Sequence, residues 1–224
     1  MPSARKEARR FLDPLGLLNI LLILAEFLLP WTMPAKVFIL ALLIFNLVLI
    51  LFVLYFFRDP ERAVPADESL IVSAADGLVV GVEEMEEPDF HLGRMTRVAV
   101  FLSVFDVHIN RSPDAGVVKS TVYKAGQFLD VRHPDSSTRN ECRSWLLQTA
   151  RGPMAIRQIA GLIARRIVPW SSEGATLTRG ERLGMIRFGS RTEVFLPLEC
   201  TVLVKLGDRV AGAATPIARW PGIS

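Results

Sequence analysis

Two long apolar runs near the N-terminus constrain this chain more than anything else in it. "PLGLLNILLILAEFLLPW" (14–31) is followed by the connection "TMPAK" and then by "VFILALLIFNLVLILFVLYFF" (37–57). At helical rise the second run reaches roughly 31 Å, enough to cross a bilayer's hydrocarbon core. The first is shorter and carries Asn19 and Glu26, so it is expected to tilt, thin the bilayer or re-enter it. Glu26 reads either as a functional intramembrane carboxylate or as one that snorkels to the interface. Two runs in succession without a small-residue cleavage site argue against a signal peptide. Arg5, Lys6, Arg9 and Arg10 precede the first run, Arg58 and Arg62 follow the second, and the connection holds only Lys36. That bias predicts a helical hairpin over 1–57 with both ends in the cytoplasm.

After Asp59-Pro60 the composition changes. Short apolar runs such as "LIVSAADGLVVGVEE", "RVAVFLSVFDVHI" and "TVLVKLGDRVAGAATPIA" alternate with Gly, Pro, Asp and Ser clusters. That spacing predicts a mainly β body over 58–224, a barrel or sandwich. Tyr123-Lys-Ala-Gly-Gln-Phe-Leu, Leu177-Thr-Arg-Gly-Glu-Arg-Leu and Val204-Lys-Leu-Gly-Asp-Arg-Val echo one another and resemble the hairpin turns of biotinyl/lipoyl carrier domains. Glycine there would supply the positive φ of a tight turn. "IAGLIARRIVPW" (159–170) fits a short helix or a strand equally.

The formal charge of +3 in 224 residues is mild, and part of the excess flanks the apolar runs. It suits an anionic membrane surface; without a basic stripe interleaved with aromatics, no nucleic-acid partner is expected. Cys142 and Cys200 have no CxxC spacing and read as reduced packing residues. His91, His108 and His133 lack metal-ligand spacing, so no metal is expected.

Three stretches place polar groups inside apolar surroundings. Asp76-Gly77 is either a hairpin turn or a site carboxylate. Asp106, His108 and Asn110 alternate, which on a strand directs an acid, an imidazole and an amide to one face. "MIRFGSRTEVFLP" (185–197) reads as a half-buried strand interrupted by Gly189-Ser190, either a β-bulge or a reactive pair.

"FFRDPER", "AADG", "FLSVFDVHINRSP", "YKAGQF", "NECR", "IAGLIARRIV", "RGERLGMIRFGSRTEVFLP" and "VKLGDRVAGAATPIA" resemble, in order, the short-chain group of phosphatidylserine decarboxylases. The resemblance implies that the Gly189–Ser190 bond cuts itself, giving chains 1–189 and 190–224 that stay together as a heterodimer. The Ser190 hydroxyl would attack the preceding carbonyl and convert amide to ester. Elimination and hydrolysis would then turn Ser190 into a pyruvoyl group, releasing ammonia. That ketone, conjugated to an amide, is an electron sink for decarboxylating phosphatidylserine to phosphatidylethanolamine. His108 matches the family's substrate-contacting histidine and proton donor; Asp76 matches the acid that assists self-cleavage.

Longer bacterial relatives carry a second histidine three residues after the first, where this chain has Arg111. Either His108 performs both tasks, or Arg111 and Asp76 organise a water, with Asp106 and Asn110 in support. Arg58, Arg62, Arg165 and Arg166 are candidates for holding the headgroup phosphate or neighbouring anionic lipids. The enzyme is expected at the inner membrane, its catalytic body facing the cytoplasm, with further dimerisation in keeping with the family. Two other readings are a decarboxylase of another serine-headed lipid, such as archaetidylserine, and a membrane-tethered β domain that only binds lipid.

Overall fold

The computed structural model describes residues 4–222 apart from 132, 134, 163–165 and 188. The chain divides into two compact units, Met1–Asp59 and Pro60–Ser224.

The first unit is a pair of packed helices, α1 (Ala4–Leu28) and α2 (Met33–Phe56), both long and apolar enough to cross a membrane. Pro at the first turn of α2 suits a helix start, where the missing N–H has no partner to lose. Their outer faces leave Phe27, Phe38 and Phe45 more than half exposed, a surface fitted to lipid rather than water. Asn46 is buried, its amide donating to the Leu15 carbonyl at 2.9 Å. Glu26 lies near the connection and pairs with Lys36 at 3.8 Å.

The second unit is mainly β. Its elements in chain order are β1 (Leu70–Val72), β2 (Gly77–Glu86), β3 (Arg94–Leu102), β4 (Ile109–Arg111) and β5 (Gly116–Lys124). After the short α3 (Ser136–Arg139) come β6 (Cys142–Gln148), β7 (Pro153–Ala160), β8 (Ile167–Pro169) and β9 (Thr176–Leu177). β10 (Arg182–Ile186), β11 (Ser190–Leu196), β12 (Thr201–Val202), β13 (Arg209–Val210) and β14 (Pro216–Arg219) complete it. Eight strands form one curled antiparallel sheet in the order β13-β2-β3-β11-β7-β6-β5-β9, a half-barrel. Two three-stranded sheets, β1-β14-β12 and β4-β10-β8, accompany it.

Alternation sets the core. Val98, Val100 and Leu102 of β3, Met154 and Ile156 of β7, and Val194 and Leu196 of β11 meet fully buried Trp145 on one face. The opposite face of β11 is also buried, although half-burial was expected. There Arg191 and Glu193 are covered with Arg97 and Arg157, and Arg191 and Arg157 donate to the carbonyls of Val131 and Ser137 at 2.7 Å each. The polar face of the pattern is therefore an internal ionic network, not a wet surface. Burial opposes the charge on Arg191, pulling its pKa down, while adjacent Glu193 works the other way.

Two of the three echoed glycines, Gly180 and Gly207, adopt φ of +80° and +91° at the third position of turns closed by Glu181 N–H to Thr178 and Asp208 N–H to Lys205. Gly126 instead lies where a Cβ would meet the Arg139 carbonyl oxygen at 2.4 Å. The segment 159–170 holds no described helix: it is the end of β7, then β8, with 163–165 outside the described residues. Cys142 and Cys200 are buried free thiols, and burial pushes Cys200 up to about 11.

Candidate active site

"MIRFGSRTEVFLP" is two strands in different sheets, not one strand with a bulge. β10 pairs with β4 and β8, β11 pairs with β3 and β7, so the chain changes sheet between Ile186 and Ser190. Gly189 makes the corner at φ +70°, a left-handed conformation that a side chain disfavours. Ser190 follows at once, pairing with Leu102 on one side and Ala160 on the other. It is 0% exposed, and its Oγ has no hydrogen-bond partner among the described residues. Leaving a buried hydroxyl unmatched costs about 1–3 kcal/mol, so its retention marks a place where the group has another use.

His108 is the side chain brought to this corner. Ser103–Asp106 is a turn, closed by Asp106 N–H to the Ser103 carbonyl and by Ser103 donating N–H and Oγ–H to Asp106 Oδ2 at 2.8 and 2.7 Å. The turn aims the Asp106 carbonyl at His108 Nδ1, 2.9 Å away. The other ring nitrogen, Nε2, accepts the Gly189 N–H at 3.2 Å. The two bonds together assign a neutral ring protonated on Nδ1. The backbone is fixed as well, since Ile186 N–H donates to the His108 carbonyl at 3.2 Å.

The turn corrects the expectation of one strand face shared by Asp106, His108 and Asn110. Asp106 precedes the strand, and its carboxylate serves the turn and Arg209 Nη1 at 3.1 Å. Asn110 does sit on β4, fully buried, donating to Thr192 Oγ1 at 2.9 Å and accepting from the Gln158 amide. Thr192 and Gln158 face the same interior as Ser190 and Ala160, two residues along their strands. These two are missed by motif reading; the available signal was a hydroxyl and an amide at inward positions of "SRTEV" and "IRQIA".

Asp76 lies in the bend just before β2. Continuing the β2–β3 register by one residue puts Gly77 in a row with Leu102 and Ser190. Two strand spacings, roughly 10 Å, therefore separate this end of β2 from Ser190. The Asp76 carboxylate is bound by Arg62 Nη2 at 2.5 Å and the Gly212 N–H at 2.8 Å. Arg62 is thus engaged with Asp76. Arg111 points elsewhere than the corner, donating to the Gly180 and Pro60 carbonyls at 3.1 Å each. Arg58, in the first unit, donates to the Tyr55 carbonyl at 2.9 Å and stacks on the Tyr55 ring. Arg166 is exposed, its carbonyl accepting the Arg187 N–H, and Arg165 lies outside the described residues.

What the arrangement can do is local to one peptide bond. It offers a buried hydroxyl beside the carbonyl of a left-handed glycine, with an imidazole on the amide that precedes it. Comparison with known proteins adds the chemistry. A family model described as phosphatidylserine decarboxylase matches residues 49–218. The chain is 52% identical over 175 residues to the phosphatidylserine decarboxylase proenzyme of Symbiobacterium thermophilum, covering 77% of this chain and 81% of that one. It is 46% identical over 175 residues to the proenzyme of Geobacter metallireducens, covering 77% and 79%, and 45% over 179 residues to that of Geobacter sulfurreducens, covering 79% and 81%.

Proposed function

We propose, for a chain that belongs to the phosphatidylserine decarboxylase family, the pyruvoyl-dependent decarboxylation of phosphatidylserine to phosphatidylethanolamine after self-cleavage at Gly189–Ser190. One observation carries the self-cleavage reading: the buried Ser190 hydroxyl, without a hydrogen-bond partner among the described residues, directly after a left-handed glycine at a sheet-to-sheet corner.

Ser190 Oγ attacks the Gly189 carbonyl carbon, and the C–N bond breaks as the serine nitrogen takes up a proton. The product is an ester with a free amine. Loss of the Ser190 α-proton then expels the Gly189 carboxylate from Cβ, and water replaces the nitrogen as ammonia. The residue left at position 190 fits a pyruvoyl group, because the corner buries it completely and the group is uncharged, with a methyl where the serine carried its hydroxymethyl. Such a group supplies a ketone that takes the substrate's amine and accepts the electrons released with CO₂.

The chain's own residues prepare that place. The Ser103–Asp106 turn fixes His108 with its Nε2 lone pair at the corner. His108 is the proton donor for the former α-carbon, a task matched to an imidazole's pKa near neutrality. Asp76, Arg62 and Gly212 brace the neighbouring end of β2, which is how we place Asp76's contribution to self-cleavage. The cut chains, 1–189 and 190–224, stay associated because β11 lies between β3 and β7.

Residues 1–57 serve as the membrane anchor and 58–224 as the catalytic domain. The basic residues flanking α1 and α2 support a catalytic domain on the cytoplasmic side of the inner membrane. Of the described candidates Arg58, Arg62 and Arg166, Arg166 is the exposed one and is offered for an anionic headgroup.

Mass spectrometry of the membrane-purified protein tests the proposal. Two fragments are expected, the smaller blocked at its start, whereas Ser190→Ala should give a single inactive 24.9 kDa chain. A decarboxylating Ser190→Ala protein would overturn it.

A further inference from the structure

Gly161 faces the bond that is to be broken. β7 and β11 run antiparallel with Ala160 opposite Ser190, so the next pair outward sets Gly161 opposite Gly189. A Cβ built on Gly161 would stand 2.4 Å from the Gly189 carbonyl oxygen, 3.2 Å from its carbon and 3.2 Å from Val131 Cγ1. Carbon and oxygen do not approach that closely without bonding; even weak C–H···O contacts sit at about 3.3–3.6 Å. The obstructed atom is backbone, so no side-chain rotation relieves the clash. At Gly189 the demand differs: a Cβ there would meet nothing within 4 Å, and only φ +70° calls for glycine.

We propose that Gly161 is a positioning residue for self-cleavage: its missing side chain is the space that the scissile carbonyl oxygen occupies and moves within. The inference rests on the self-cleavage reading above. On the amine side, the Gly189 N–H is held by His108 Nε2 at 3.2 Å. On the carbonyl side, the gap at Gly161 sets the direction of the oxygen, and so the face of the carbon that Ser190 Oγ meets. When Oγ bonds to that carbon, the C=O electron pair moves onto the oxygen and the carbon becomes tetrahedral, swinging the oxygen out of the peptide plane. It then returns as the carbonyl of the ester. A methyl group at 161 rotates the starting carbonyl away and blocks that swing. Once the bond is cut, the constraint has no further work to do.

The test follows the full chain from synthesis by mass spectrometry in detergent, comparing wild type, Gly161→Ala and Gly116→Ala. Gly116 is a matched control: a Cβ there would meet the Gln148 carbonyl oxygen at 2.5 Å, an equally tight backbone clash on β5, away from the corner. Gly161→Ala should cut at least about 100-fold more slowly, a difference of two tenfold steps in barrier. Gly116→Ala should lose melting temperature but cut at the wild-type rate. Neutral hydroxylamine, which cleaves esters, should leave Gly161→Ala intact, because the block precedes the ester. Wild-type cutting by Gly161→Ala, equal slowing of both variants, or rapid hydroxylamine cleavage of Gly161→Ala would overturn the inference. An uncut wild-type chain would overturn the self-cleavage reading itself, and this inference with it.

Discussion

His108 Nε2 and the Gly189 backbone N–H stand 3.2 Å apart, joined across 81 residues of sequence by one hydrogen bond. The imidazole in the uncut chain therefore holds the residue before the scissile bond, and the Ser190 hydroxyl has no hydrogen-bond partner among the described residues. Replacement by alanine removes the proton donor proposed for turnover. His108→Ala should lower decarboxylation per matured chain by about 10²–10⁴-fold, read as CO₂ released from carboxyl-labelled phosphatidylserine. Full turnover in that variant would remove the role.

Asp76 and Arg62 supply a second test, because they act at a distance from Ser190. Their side chains are 16% and 18% exposed, so the pair at 2.5 Å is largely shielded from water. Asp76→Asn keeps an acceptor for the Gly212 N–H but loses the charge facing Arg62. A loss of about 1.5–3 kcal/mol in stability is expected, the range for a hydrogen bond to a charged group. If Asp76 acts by bracing the end of β2, Arg62→Ala should slow self-cleavage as Asp76→Asn does. Slowing in Asp76→Asn alone would make the carboxylate itself the active group.

How much of this was legible in the sequence differs from residue to residue. The hairpin and the β body were readable because apolar run length and turn spacing are local signals. Gly180 and Gly207 were readable as turn glycines for the same reason. The sheet change at Gly189 was not: Phe, Val and Leu alternate through it, and period alone does not say which sheet a strand joins. Asp106 was misplaced because its alternation with His108 mimics a strand, while its hydrogen bonds to Ser103 build a turn. Gly161 looked like any glycine in an apolar run, since its demand for space comes from a residue on another strand.

Glu193 carries the third prediction. It is fully buried, with Oε1 2.8 Å from Arg97 Nη1 and 3.1 Å from Arg191 Nε, and Oε2 3.9 Å from Arg157 Nη1. Glu193→Gln keeps the shape and removes the charge these three guanidinium groups share; Arg97 and Arg157 retain Glu83 and Asp89, so the loss falls mainly on Arg191. Uncompensated buried charge costs about 3–5 kcal/mol. The melting temperature should fall by about 10 °C for a domain of this size. An unchanged melting temperature would show that the guanidinium groups do not depend on it.

Acid sensitivity should centre on Asp89, whose side chain is buried against β6 and β7. Burial works against its ionisation, but hydrogen bonds from Lys124 and Ser144 together with the nearby Arg157 guanidinium outweigh that and hold it below its ordinary 3.8. Lys124 Nζ is 2.6 Å from Oδ1 and Arg157 Nε 3.3 Å from Oδ2. A carboxylate depressed on folding binds its proton more weakly in the folded chain than in the unfolded one. Its stabilisation is therefore complete above the unfolded value and is lost as pH falls through the folded one. The melting temperature of the wild type should hold from pH 7 to about 4 on this account and fall below it. Asp89→Asn should begin lower at pH 7 and fall less steeply over the acid range. Parallel curves for the two proteins would place the acid-labile group elsewhere.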